Sequence, residues 1–257
     1  MDDQMLSVTR EGSLLTLKLD RPHVLNALTL ELLGEVSTAL QEAAQPTVRA
    51  VLLTGNGRGF CAGADLGATE LTGNAAEIVK THYNPVARSL RALEKPVIAA
   101  VNGVAAGAGM SLALACDLRL LSEKAVFAVG FAGIGLAMDA SMSYTLPRLV
   151  GTTRAFELAY SGRKVSAEEA LELGLGEQIL PADGFLEAAT AYAKALADGP
   201  TQCYARIKRQ LYASAHNTFD EQLALEAELQ DEASQTEDFR EGVQAFAEKR
   251  APRFRGV

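Results

Sequence analysis

Asn102-Gly103-Val104-Ala105-Ala106-Gly107-Ala108-Gly109 is the stretch on which the fold of this chain turns, and Phe60-Cys61-Ala62-Gly63-Ala64-Asp65-Leu66 repeats its logic earlier in the sequence. Each follows an apolar run that reads as a buried strand, and the 102–109 stretch leads straight into an apolar helical segment, residues 110–115. Glycine and alanine leave backbone N–H groups uncovered, so a ligand oxygen can come close to them. Two such loops, one ending at a helix N-terminus, can aim two N–H donors at one anionic oxygen. Taken singly, either stretch also reads as a tight turn with close helix packing.

The flanking sequence alternates strands and helices. Residues 5–9 and 13–19 alternate apolar and polar around Glu11-Gly12, the pattern of a hairpin. Leu30, Leu33, Val36 and Leu40 recur at helical spacing over 29–44, with Thr29 placed to cap. Residues 49–54 read as a buried strand ended by Gly55-Asn56-Gly57, 75–93 as helix, and 96–101, 118–121 and 126–129 as strands. After Ser141 the chain reads as mostly helical, with a boundary at Asp198-Gly199-Pro200. The pattern predicts an α/β core over 1–199 and a C-terminal helical region over 200–257.

The chain has 257 residues, 48% hydrophobic and 22% charged, enough for a sizeable core. A net charge of −8 argues against general nucleic-acid binding, which needs a basic face. The cysteines at 61, 116 and 203 form neither a disulfide framework nor a C-x-x-C site, and the three histidines show no zinc spacing. No metal site is expected, and a reducing, cytoplasmic setting is. The start, Met1 to Met5, lacks the features of a signal peptide. Residues 96–116 carry no charge over 21 positions, a bilayer-spanning length. Their Ala/Gly richness and the Asn102-Gly103 break favour a strand, loop and helix, and no membrane association is expected.

Both small-residue loops resemble signatures of the crotonase (enoyl-CoA hydratase/isomerase) superfamily. So do Arg21-Pro22-His23-Val24-Leu25-Asn26-Ala27-Leu28, Val51-Leu52-Leu53-Thr54-Gly55, Leu146-Pro147-Arg148-Leu149-Val150-Gly151 and Ala245-Phe246-Ala247-Glu248-Lys249-Arg250, in that order along nearly the whole chain. The resemblance implies a spiral of ββα turns, homotrimers or dimers of trimers, and an acyl-CoA thioester as partner, with coenzyme A part of the substrate rather than a separate cofactor. It implies an oxyanion hole from the N–H groups of Ala64 and Ala108, with Ala62 and Gly63 beside the CoA moiety. Phe246 and Lys249, three residues apart on one helical face, would meet adenine and phosphate, or else be a packed Phe beside a solvated Lys. Lys249, Arg250, Arg253 and Arg255 make a locally basic tail.

Hydratases of this family use two glutamates. Ser111 and Phe131 occupy those positions here, and neither moves a proton as a carboxylate does. The sole acidic residue between Glu123 and Glu157 is Asp139, in Ile134-Gly135-Leu136-Ala137-Met138-Asp139-Ala140. That segment resembles the Gly-Leu-x-Pro-Asp run of crotonase-type isomerases, although Met138 replaces the proline. Asp139 is then a proton shuttle with a pKa raised by burial, or a helix cap, or both. Asp65 reads first as a helix N-cap and alternatively as part of the binding loop. Ser111 brushes the G-x-S-x-G pattern but lacks its last glycine, so it is read as shaping the pocket or holding a water. Three activities follow: double-bond or ring isomerisation through a thioester enolate; acyl-CoA binding with little catalysis; and hydration or thioester hydrolysis with an ordered water.

Overall fold

Alternating leucines pair β1 (Leu6–Glu11) with β2 (Leu14–Leu19) as an antiparallel hairpin, Leu6 opposite Leu19. In a computed structural model, which describes residues 4–67 and 73–257, β2 then runs parallel to β3 (Ala50–Gly55), all of whose residues are buried. From β3 the chain repeats a strand–strand–helix turn. β4 (Gly59–Cys61), β5 (Val97–Val101), β6 (Val104–Ala106), β7 (Leu118–Ser122) and β8 (Val126–Ala128) follow, with β9 (Val165–Ser166) and β10 (Gln178–Leu180) further on. Odd and even strands of the repeat go to different sheets. One has the order β1-β2-β3-β5-β7-β10, and the smaller has β4-β6-β8-β9.

The hairpin, the helix after Thr29 and the strands near 50, 97, 118 and 126 lie where the sequence places them. The loops conceal two strands, β4 and β6, and the region read as helical after Ser141 holds β9 and β10. These are strands of two or three residues, and β4 and β6 are built largely from Gly, Ala and Cys, so neither periodicity nor β-branched side chains mark them.

Successive residues of the central strands face opposite sides of the large sheet. Val51, Leu53, Val97 and Ala99 face the main core, and Leu52, Ile98 and Leu120 face a smaller core. In the main core lie α1 (Leu30–Ala43), capped by Thr29 Oγ1 on the Leu32 N–H, and a helical run that changes type along its length. That run is α2 (Ala75–Ile78), a π-helical stretch Val79–Tyr83, and α3 (Asn84–Ala92). It is followed by α4 (Ala108–Ala115), whose eight residues are all buried, then α5 (Met142–Val150), α6 (Thr152–Ser161) and α7 (Ala167–Glu172). The smaller core is closed by α8 (Phe185–Ala197) through Phe185, Ala189 and Ala193.

Three helices end the chain: α9 (Thr201–Ala213), α10 (Phe219–Ser234) and α11 (Glu237–Glu248). Part-buried polar bonds tie α9 and the tail after α11 to the core. Arg49 donates to Thr201 Oγ1 and to the carbonyls of Gly199 and Phe254, while Lys208 and Tyr212 both donate to Asp117. No helix among the described residues is long and apolar enough to cross a membrane. The uncharged 96–116 segment is β5, β6 and α4.

Candidate active site

β4 and β6 are parallel neighbours, and both small-residue loops leave from their C-terminal ends. The loops touch. Gly63 has φ +99°, and a Cβ there would lie 2.8 Å from the Ala106 carbonyl oxygen and 3.4 Å from the Ala108 nitrogen. A side chain at Gly109 would collide with the Cys61 carbonyl, so glycine lets the first turn of α4 seat on the first loop.

Each loop presents an N–H. Ala64 forms a parallel bridge with Leu28, in which Leu28 donates to the Gly63 carbonyl at 2.7 Å and accepts from the Asp65 N–H at 2.9 Å. Those bonds use Ala64's neighbours and leave its own N–H directed away from Leu28. Ala108 is the first residue of α4, where an N–H has no acceptor within the helix. The Ala62 N–H is taken by the Leu25 carbonyl at 2.9 Å, which leaves its carbonyl as the backbone group open to a ligand.

The cap reading of Asp65 lies outside the described residues, because it turns on residues 68–72, which follow it. The Asp65 carboxylate pairs with Arg21 at 2.9 Å, and Oδ1 accepts from the Gly67 N–H. Arg21 also donates to the Ala27 carbonyl, which braces the first loop against the 21–28 segment. Cys61, fully buried at the base of this loop, has its thiol pushed up to about 12 by burial, so it is no nucleophile.

Asp139 lies in the segment before α5, and its turn is tied to α4. Its Oδ1 is buried and meets no hydrogen-bond partner, and burial pushes its carboxyl up to about 6. The cap reading of Asp139 fails: its carbonyl, not its carboxylate, accepts the Met142 N–H at 2.9 Å. Ser141 precedes α5 and its side chain makes no cap bond. Ser111 is fully buried, and its hydroxyl donates to that same Asp139 carbonyl at 3.1 Å. It therefore holds the Asp139 turn rather than lining open space. Met138 and Phe131 share an apolar pocket of about 510 Å³ with Leu136, Pro147 and Phe156. Ser141, two residues beyond Asp139, is in the wall of a second cavity of about 630 Å³ with Asn84, Arg91 and Tyr144.

One residue escaped the sequence reading. Tyr83 is 3% exposed with a phenol oxygen that has no hydrogen-bond partner, and the charges of Asp139, Cys61 and Asp65 act on it. The only available signal was a five-residue step in the helical pattern.

Phe246 and Lys249 stand on the far C-terminal element. Phe246 is 87% exposed. Lys249 is not on its helical face: it is the residue after α11, with φ +54°. The basic tail is less basic than its composition. Arg250 pairs with Glu241 and Glu248, and Arg255 with Glu237. Among the described residues no group of His, Cys, Asp and Glu side chains is arranged to hold a metal ion.

A family model, enoyl-CoA hydratase/isomerase, matches residues 9–257. The chain belongs to the enoyl-CoA hydratase/isomerase family. As a member of that family it is an enzyme of the hydratase/isomerase type with a crotonase fold. It is 44% identical to a probable enoyl-CoA hydratase of Rhodobacter capsulatus, over 95% of each chain. It is 41% identical to the 1,2-epoxyphenylacetyl-CoA isomerase of Escherichia coli, over 96% of each. The crystal structure of an enoyl-CoA hydratase from Bacillus anthracis superimposes with a TM-score of 0.94 at 33% identity, covering 99% of this chain and all of the other.

Proposed function

We propose that this family member isomerises an acyl-CoA thioester, moving a double bond or remodelling a ring through an enolate. The observation that carries this reading is Asp139: a half-buried carboxylate whose buried Oδ1 has no hydrogen-bond partner among the described residues and whose pKa is raised to about 6. A carboxylate so poised takes a proton from one carbon and returns it to another, so a single group suffices. Two-glutamate hydration lacks its residues, since Ser111 is occupied with a carbonyl and Phe131 is a wall of an apolar pocket. The 41% identity to an isomerase of an epoxyphenylacetyl-CoA supports the same class.

In this mechanism the thioester oxygen sits between the Ala64 and Ala108 N–H groups, which strengthen their hold as it becomes an enolate oxygen. Losing one such donor costs about 10²–10³ in rate. Asp139 removes the α- or γ-proton while the enolate forms, and delivers it to the other carbon as the carbonyl returns. Ala62 and Gly63 flank the CoA moiety, with Phe246 and Lys249 reaching its nucleotide, in a trimer or a pair of trimers. The test is Asp139→Asn on a panel of enoyl-CoA esters. Double-bond migration should fall by about 10³ or more, the loss seen when a general base is removed together with its positioning. Undiminished migration removes Asp139 from the mechanism. Hydration by the unaltered protein in place of migration would point to an ordered water instead.

A further inference from the structure

Buried positions along the helical run between the two loops are Ile78, Tyr83, Val86 and Leu90. The step from Ile78 to Tyr83 is five residues, the repeat of the π-helical stretch Val79–Tyr83. An uninterrupted α-helix would turn His82 inward after Ile78; the wider turn brings in Tyr83 instead. Single π turns inside helices recur at functional sites. This one delivers a hydroxyl to an interior where nothing among the described residues receives it.

Asp139 Oδ1 is in the same condition, and the two groups do not bond each other. A buried donor and a buried acceptor, each unmet, mark a place where a third molecule supplies the partners. Burial first, and then the charges of Asp139, Cys61 and Asp65, hold the Tyr83 phenol far above its ordinary ionisation range, so it remains a neutral O–H donor at any working pH. The thioester oxygen is already assigned two backbone donors, and Asp139 faces carbon-bound protons. A phenol donor has nothing to do with a hydrocarbon chain. Given the isomerase reading above, on which this inference rests, we infer that Tyr83 is a substrate-contacting residue whose hydroxyl hydrogen-bonds an oxygen on the acyl group beyond the thioester carbonyl. The substrate class is thereby an oxygen-bearing acyl-CoA rather than a plain fatty enoyl-CoA.

Tyr83→Phe tests this in the full chain, because it removes only the hydroxyl. Calorimetry would give dissociation constants for acetoacetyl-CoA, 4-hydroxybutyryl-CoA and butyryl-CoA with both proteins. The expected result is a loss of about tenfold in affinity for at least one oxygenated ester, the effect of one lost buried hydrogen bond, and none for butyryl-CoA. The free variant should melt no lower than the parent, since an unmet buried donor has been removed. Equal effects on all three esters, no effect on any, or a lower melting temperature would each overturn the inference. Binding is read without turnover, so failure of the Asp139 mechanism shows separately in the Asp139→Asn assay.

Discussion

The Ser111 hydroxyl donates to the Asp139 carbonyl across 3.1 Å, joining the first turn of α4 to the turn that carries the proposed base. The residues that follow Asp139 are under backbone strain: Ala140 has φ +46° and Ser141 φ +74°, both in the left-handed region that L-residues avoid. A pair of such residues costs about 2–4 kcal/mol and persists only where neighbours hold it. Ser111 and the Met142 N–H, both on the Asp139 carbonyl, do that holding. Ser111 thereby fixes the turn that carries Asp139.

Ser111→Ala should therefore lose activity through geometry. We expect kcat to drop by about 10- to 100-fold, the range for small displacement of a reacting group, with KM nearly unchanged. Melting should register the loss of about 1 kcal/mol for one buried hydrogen bond. Steady-state kinetics and calorimetry on the same preparation check both.

Asp139 sets a pH limit. The base must be ionised, so kcat/KM should decline as pH falls through about 6 and level off above it. The stability effect has the opposite slope. The folded carboxyl holds its proton more tightly than the unfolded one, so between its ordinary value of 3.8 and about 6 the native state binds more protons, and stability falls as pH rises. Asp139→Asn should melt higher than the parent at pH 8, and the gap should close as pH approaches 4.

Gly109→Ala forces a methyl group against the Cys61 carbonyl. Overpacking of this kind costs about 1–3 kcal/mol. It also pushes the Ala108 N–H away from the first loop, so turnover should fall by about 10²–10³, as for loss of one oxyanion donor. The equivalent change at Gly34, where a Cβ meets nothing within 4 Å, serves as the control and should leave both properties intact.

Phe246→Ala separates nucleotide binding from folding. The side chain is 87% exposed, so the unfolding free energy should stay within about 0.5 kcal/mol of the parent's. If Phe246 stacks on adenine, KM for every acyl-CoA should rise by about 3- to 10-fold with kcat retained, as for a uniform binding contact. Fluorescence titration with free coenzyme A gives the same comparison without chemistry.

The long elements were legible because their patterns are strong. Leucine alternation marked the hairpin, and Thr29 with Leu30, Leu33 and Val36 marked α1. The short strands β4 and β6 were not, since three residues of Gly, Ala, Val, Phe or Cys carry no period, and their pairing across the small sheet decides their structure. At the site, the glycine loops and Asp139 stood out by composition. Asp139 was open to a second reading as a cap because an aspartate before a helix usually is one. The structure leaves its Oδ1 unpaired and pairs Asp65 with Arg21, outcomes that depend on residues distant in sequence. Tyr83 was hidden for the same reason: its importance lies in what its hydroxyl fails to meet.

The proposed donors Ala64 and Ala108 stem from adjacent parallel strands, so their separation derives from the inter-strand spacing of about 4.8 Å. Asp139 and Tyr83 sit on other elements, the 131–141 segment and the π-helical stretch. In the proposed mechanism the grip on the thioester is thus set by the small sheet, while the proton is handled from another element. Exchange of the proposed acid–base residue Asp139 leaves the pairing of those two strands untouched. New chemistry can arise on this scaffold by substitutions that never touch a strand.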